Sequence, residues 1–394
     1  MCALLVLSVG AIPPANPLSV LWTAPSILAA AMLIAWAAES AQFFIAQGVA
    51  LAILAWLQTL PEFAVEAVLA WKRQVPLLLA GLTGALRLLT GLGWPMIYAT
   101  AAFFHRRRSQ TPLGHIRLHA EQSVEVMGLL ASMAYAVAIW WKASLTLADA
   151  GILIAVYAAY IALLSRMPPE NAESIGDLEA IPHAIVTARP GIRVAAIAAL
   201  FLAGGGLIYF MAEPFLASLL ALSATLGVPT FVFVQWVAPF VSEFPEKVSA
   251  LYWARTVDRA STALMNMVSS NINQWTLLAA MLPVVYSLSM HAPSAIPLDE
   301  QQRVELLLTL AQSVLAAVFL IDMRLMWWEA AGLFGLWAMQ FALSPVSVGI
   351  HGYFTAVYFA WAAIELIRMA AGKRRPAAFR EFAAIWRSHL RPVR

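Results

Sequence analysis

Apolar runs of 18 residues or more recur along most of this 394-residue chain, and a run of that length is what a helix needs to cross a bilayer core. With 62% hydrophobic residues, 11% charged residues and a mean hydropathy of +0.78, the chain is too apolar for a water-soluble domain. The sequence therefore predicts a polytopic α-helical membrane protein. Two stretches break the apolar pattern, Leu57-Gln58-Thr59-Leu60-Pro61-Glu62-Phe63 and Val241-Ser242-Glu243-Phe244-Pro245-Glu246-Lys247. Each places a Pro-Glu pair and further polar groups inside a span, where charge is expensive and points to function. Proline lacks an N–H and frees the carbonyl one turn earlier, Leu57 in the first run and Val241 in the second. Both runs thus offer carbonyl oxygen beside carboxylate, the donor set that a hard cation takes.

Hydropathy places helices near 18–44, 47–71, 75–102, 121–142 and 146–165, and after a polar segment near 192–212, 227–253, 261–289, 303–322, 325–344 and 348–370. That polar segment, with Pro168, Pro169, Glu170, Glu173, Asp177, Glu179 and Pro190, divides the chain. The expected organisation is a first repeat over 1–166, a cytoplasmic linker over 167–191, a second repeat over 192–345, an extra span over 346–372 and a basic tail over 373–394. With eleven spans, Arg106, Arg107, Arg108, Arg117, Arg166, Arg189, Arg193, Arg255, Arg259, Arg324 and the tail fall on one side. Lys72, Arg73, Lys142 and Arg303 fall on the other. The richer side is expected in the cytoplasm, which puts the N-terminus outside and the C-terminus inside a plasma (inner) membrane. Residues 1–16 lack the basic start of a cleavable signal peptide, so the first span is expected to be retained. Trp71, Trp140, Trp141, Trp327 and Trp328 fall near predicted helix ends, where indole rings favour the interface.

Other classes lack their signatures. Cys2 is the single cysteine, which excludes a disulfide framework and a multi-thiolate metal site. No histidine pair has metal-ligand spacing, and no Walker, Rossmann or nucleophile-elbow pattern appears. Neither an enzyme nor an ATP-driven pump is expected, and no cofactor or nucleic-acid partner. The expected partners are membrane lipid and inorganic cations, with oligomeric state open. His105-Arg106-Arg107-Arg108 and Lys373-Arg374-Arg375 read as topology determinants that can also attract anionic lipid.

The halves resemble each other. Ala35-Trp36-Ala37-Ala38-Glu39-Ser40 precedes the first Pro-Glu element as Tyr209-Phe210-Met211-Ala212-Glu213-Pro214 precedes the second. Five spans separate the copies, so the second enters the membrane from the opposite side. Interrupted segments at matching positions of an inverted repeat point to a midplane site with alternating access.

These residues, with Leu264-Met265-Asn266-Met267-Val268-Ser269-Ser270-Asn271-Ile272-Asn273 in the second half, resemble the repeats of the calcium/cation antiporter superfamily, in its sodium/calcium exchanger-like branch. The resemblance implies ten core helices, two inverted five-helix repeats, and exchange of Ca2+ or Na+ against Na+ or H+. It implies Glu62 and Glu246 as ion ligands, with Thr59, Ser242, Ser270 and Asn271 as matching polar positions. The eleventh span and the tail go beyond that pattern.

Departures from the family are equally specific. The third-helix element of the first repeat is Gly81-Leu82-Thr83-Gly84-Ala85-Leu86-Arg87, so Leu86 or Arg87 stands where the family ligand equivalent to Asn271 belongs, and the equal separations Glu62 to Arg87 and Glu246 to Asn271 favour Arg87. Gln58 replaces a threonine, Glu243 replaces a serine, Lys247 follows Glu246, and Glu66 adds an acid one turn beyond Glu62. Glu62, Glu66, Glu243 and Glu246 against Arg87 and Lys247 leave two negative charges if all are ionised. One expectation makes Arg87 a fixed stand-in for a cation, held by Glu62 or Glu246. The competing expectation makes Glu66 and Glu243 proton carriers, since clustered carboxylates in low dielectric favour proton uptake. A plainer reading pairs Glu243 with Lys247 at i, i+4, leaves Glu39 and Glu213 at helix ends, and makes the Ser269 to Asn273 group interhelical glue. The alternative to transport is an exchanger-like cation sensor or membrane subunit.

Overall fold

The structure, a computed structural model, describes residues 16–44, 56–57, 59–167, 178–344 and 349–390. Cys2, Gln58 and the linker residues Pro168, Pro169, Glu170, Glu173 and Asp177 lie outside them. The first repeat contains α1 (Val20–Ala41), α2 (Leu60–Trp71), α3 (Val75–Ser109), α4 (Ser123–Lys142) and α5 (Leu147–Leu164). A short helix, α6 (Ala180–Thr187), occupies the end of the region expected to be a plain polar linker. The second repeat follows with α7 (Pro190–Leu226), α8 (Thr230–Ser242), α9 (Phe244–Ala254), α10 (Val257–Asn273), α11 (Ala279–Met290), α12 (Glu300–Leu320) and α13 (Trp327–Leu343). The extra span is α14 (Ile350–Ala370), and α15 (Ala377–Ile385) lies in the tail.

Seven of the described helices are long and apolar enough to cross a membrane. The rest of the eleven expected spans are interrupted or more polar. In the first repeat α2 begins only at Leu60, and in the second a turn at Glu243 separates α8 from α9. The polar row Ser269, Ser270, Asn271 and Asn273 lowers the hydropathy of α10, and α13 stops at 17 residues. Conversely, α7 runs for 37 residues. At ~1.5 Å per residue that is about 55 Å, well beyond a hydrocarbon core of ~30 Å, so α7 must extend past the bilayer core.

The chain forms two compact units, one of residues 1–84 and 168–246, the other of 85–167 and 247–394. In the first unit α1 packs along α7. The Thr23 and Ser218 hydroxyls bond at 2.8 Å, while a Cβ on Gly204 would lie 2.7 Å from Ile34. Partners advance along α1 as they recede along α7, so these equivalent first helices are antiparallel. Gly204 permits the close approach. Ile27, Val65, Phe215, Leu219, Phe233 and Ala238 form one apolar core, tying α2 and α8 to this pair.

In the second unit the connections carry the same inversion. Strand β1 (His115–Arg117), between the third and fourth helices of the first repeat, pairs with β4 (Arg324–Met326), between the fourth and fifth of the second. Reciprocally, β2 (Ser144–Leu145), between the first repeat's fourth and fifth helices, pairs with β3 (Ile296–Pro297), between the second repeat's third and fourth. Exchanged loops meet in this way only when two copies run in opposite senses. Caps repeat as well. The His119 and Asp299 amides donate to Gln122 and Gln302, at 3.0 and 2.9 Å, and the Thr146 and Met326 amides to Asp149 and Glu329, at 2.7 and 2.8 Å. Each cap stands 180 residues from its counterpart.

Candidate cation-binding site

Both Pro-Glu elements open a helix. Pro61 and Glu62 lie in the first turn of α2, and Pro245 and Glu246 in the first turn of α9. A helix can accept proline there because the first turn's N–H groups have no partner within the helix. The same unpaired N–H groups give the terminus a partial positive charge, which favours a carboxylate at that position. Glu62 and Glu246 are 3% and 1% exposed, and Glu66, Glu243, Thr59 and Ser242 are buried as well. The Thr59 hydroxyl bonds back to the Trp56 carbonyl at 2.9 Å, and Ser242 to the Ala238 carbonyl at 3.0 Å. All six residues belong to the first unit, where α2 packs against α8.

Gly81 and Gly84 acquire a use that the sequence did not disclose. Glu66 Oε1 would lie 1.7 Å from a Cβ on Gly81, and the Gln235 carbonyl oxygen 1.8 Å from one on Gly84. Two bare positions on α3 thus admit a carboxylate from α2 and the π-helical turn Phe233–Val237 of α8. Among the described residues Glu66 Oε2 has no hydrogen-bond partner.

The second unit holds the third-helix residues. Arg87 and Asn271 are both fully buried, each followed shortly by a π-helical turn, Leu89–Gly93 in α3 and Gln274–Leu278 after α10. Such turns recur at functional positions in helices. The Asn271 amide reaches the Leu86 carbonyl at a long 3.5 Å, while its Oδ1 has no hydrogen-bond partner among the described residues. Ser270 is buried beside it, and Ser269 bonds the Tyr160 hydroxyl at 3.0 Å, as interhelical glue would.

Arg87 makes an ion pair that sequence reading did not foresee. Its Nη2 lies 2.7 Å from Oε2 of Glu305 on α12, and the other Glu305 oxygen lies 2.7 Å from Nδ1 of His351 on α14. Gln312 donates to the Arg87 carbonyl at 2.9 Å and to the Thr90 hydroxyl at 2.6 Å. The sequence suggests Glu62 or Glu246 as a partner of Arg87; Glu305, within the guanidinium's own unit, is one that it does not name. The repeat carried a clue, since Glu125 and Glu305 stand at the same 180-residue spacing as the caps.

Away from these elements, Glu213 is exposed and pairs with Lys72 at 2.5 Å, which fits an interfacial position. Lys247 is buried in α9, and Glu243 occupies the turn before that helix rather than a place on its face. Among the described residues no group of three His, Cys, Asp or Glu side chains converges as a preformed metal cage.

Two copies of one family pattern cover these elements: the sodium/calcium exchanger protein family matches residues 18–166 and 196–344. The chain belongs to the sodium/calcium exchanger family. This exchanger is similar to the crystal structure of the H+/Ca2+ exchanger CAX, at 31% identity over 98% of this chain and 94% of that one, with a TM-score of 0.87. Native YfkE matches at 14% identity, covering 86% of this exchanger and 95% of that chain, with a TM-score of 0.59. The sodium-calcium exchanger NCX_Mj matches at 17% identity, covering 86% and 98%, with a TM-score of 0.55. At those identities the last two speak for the fold alone. No curated protein matches the exchanger. Membership makes it a multi-pass membrane protein of a cation-antiporter family, with two five-helix repeats and an added C-terminal span.

Proposed function

We propose that this chain exchanges Ca2+ against H+ by alternating access, with Glu62 and Glu246 as the central ligands. The observation that carries the reading is that these two carboxylates are buried in the first turns of two matching interrupted helices. Interrupted helices at equivalent positions of inverted repeats are where transporters place ions, because unwound carbonyls and helix ends supply ligands at membrane depth. Thr59, Ser242, Glu243, Ser270 and Asn271 are the supporting polar ligands, and the unpartnered Oδ1 of Asn271 favours its inclusion. Identity of 31% with a structure described as an H+/Ca2+ exchanger favours Ca2+ as cargo and H+ as the exchanged ion.

The charge arithmetic suits that exchange. Glu62, Glu66, Glu243 and Glu246 carry four negative charges when ionised, and a single Ca2+ answers two of them. Lys247 answers one more, so protons answer a single charge with Ca2+ bound and three once it has left. Glu66 is the carboxylate best suited to hold a proton, since its Oε2 is buried and unbonded among the described residues. Arg87 and Lys247 modulate the local charge. Arg87 has Glu305 as a counter-ion within its own unit.

The test is Ca2+ flux in proteoliposomes under an imposed pH gradient, with a sodium gradient as comparison and the Glu62→Gln/Glu246→Gln double variant as control. Ca2+ movement driven by the pH gradient and lost in the double variant is the expected result. Movement that follows only the sodium gradient would replace H+ as the coupled ion. Absence of flux under either gradient, from folded protein, would put the sensor or subunit reading first.

A further inference from the structure

The two repeats solve the same electrostatic problem differently at the turn between their fourth and fifth helices. In the first repeat, Lys142 at the end of α4 pairs with Asp149, the acid that caps α5. The second-repeat position equivalent to Lys142 is Asp322, and the equivalent of Asp149 is Glu329, both 180 residues on. A cation has become an acid. The second repeat therefore sets two carboxylates at a turn where the first sets a carboxylate and its counter-ion.

The buried cation at this turn comes from outside the repeat. Arg374 Nε lies 2.8 Å from Asp322 Oδ2, one terminal nitrogen lies 2.5 Å from Glu329 Oε1, and the other lies 3.1 Å from Glu365 Oε2 on α14. The same guanidinium donates to the Phe319 carbonyl at 2.7 Å, so it also closes an open end of α12. Its side chain is 6% exposed. Burial alone would lower the pKa of this guanidinium, but the Asp322 and Glu329 contacts outweigh it and raise the pKa above the ordinary range. Two further arginines flank the cluster and are half exposed: Arg324 on Asp322 at 2.9 Å and Arg368 on Glu365 at 2.8 Å.

The chain is shaped to deliver this residue. Gly372, at φ +71°, stops α14 with a left-handed turn that a side chain would strain, and the Lys373 amide returns to the Arg368 carbonyl at 2.9 Å. Just beyond Arg374, the Ala378 amide donates to the Ile321 carbonyl at 2.8 Å. Along the same helix, Trp361 stacks on Trp328 of α13 at 6.2 Å and meets Phe319 of α12 edge-on at 5.5 Å. The opposite end of α14 holds His351 on Glu305.

We propose that Arg374 is a positioning residue, the buried cation that the second repeat's own turn, whose Arg324 is half exposed, does not supply, and that the eleventh span serves to bring it there. Through Glu329 it fixes the start of α13. That helix packs on the π-helical turn after Arg87, where a Cβ on Gly91 would lie 2.3 Å from Trp337. A span outside the repeat pattern is thereby part of what holds a site-bearing helix in place.

The repeat itself supplies the test. Arg374→Gln takes the ion-pair partner from buried Glu329 and leaves Asp322 and Glu365 only their half-exposed arginines, a disruption that should lower the thermal unfolding midpoint of the purified protein by on the order of 5 °C. It should also raise amide hydrogen exchange across Trp327–Leu343. Adding Asp322→Lys to Arg374→Gln rebuilds in the second repeat the pair that Lys142 and Asp149 make in the first, and should restore most of both losses. Failure of Asp322→Lys to restore either property would overturn the proposal, as would an Arg374→Gln protein indistinguishable from the parent. If Arg374→Gln alone does not fold, recovery of folded protein in the double variant supports the assignment, and its absence rejects it. Neither readout depends on which ions the protein exchanges.

Discussion

At the scale of single residues, the space beside Gly81 is filled by a carboxylate, and that changes what the Gly-Leu-Thr-Gly segment means. Read as sequence, Gly81-Leu82-Thr83-Gly84 is the degraded counterpart of a ligand-bearing element; in the fold its glycines are the places where Glu66 and the Gln235 backbone fit. Gly81→Ala should therefore destabilise the protein by about 1–3 kcal/mol, the usual cost of forcing atoms into a packed interior. Because the collision is with Glu66 itself, Gly81→Ala/Glu66→Ala should be less destabilised than the separate losses would predict. Thermal unfolding of the three variants decides, and purely additive losses would remove the contact from the account. Sequence exposed Glu62, Glu66, Glu243 and Glu246 because charge in apolar runs is conspicuous by itself. It did not expose Glu305 and Arg374, whose importance lies in which residues they meet across more than fifty positions of chain.

At the scale of elements, interruption is the common device. Helix α2 starts at Leu60 with Pro61 in its first turn, a turn at Glu243 divides α8 from α9, and π-helical turns follow Arg87 and Asn271. The first two were legible because proline has a fixed backbone consequence. The π-helical turns were not, since one additional residue per turn leaves hydropathy almost unchanged. The same limit explains the span boundaries. Hydropathy ends α7 near 212, yet helix geometry persists to Leu226 because nothing before Gly227 stops it, Pro214 included. Pro61→Ala offers a test of interruption as a device. It restores an N–H that can reach the Leu57 carbonyl and withdraw it from a cation. Half-saturating Ca2+ should rise several-fold in flux assays while the unfolding midpoint stays level or increases. An unchanged Ca2+ dependence would leave the Pro61 break without a part in binding.

For the molecule as a whole, its orientation in the membrane decides which loops face the cytoplasm, and the second unit separates two faces by itself. Helix α4 runs from one face to the other. At its start lie β1 with β4, and at its end β2 with β3. The first face gathers Arg106, Arg107 and Arg108 at the end of α3, Arg117, Arg324, and Lys373, Arg374 and Arg375 after α14. The second has Lys142 and Arg303, with the Trp140 indole bonded to the Arg303 carbonyl at 3.1 Å. This asymmetry is the one counted from loops in the sequence, and the strand ladders make it independent of span counting. It predicts that the β1–β4 face is cytoplasmic. In a Cys2→Ser background, Ser109→Cys marks the first face and Ser294→Cys the second, since Ser294 lies between α11 and β3. A membrane-impermeant maleimide applied to intact cells with the outer envelope opened should label Ser294→Cys at once. Ser109→Cys should react only after the membrane is permeabilised. The reverse pattern would invert the protein; equal labelling of both would mean that the chain inserts in two orientations, against the outcome expected from the charge difference between its faces.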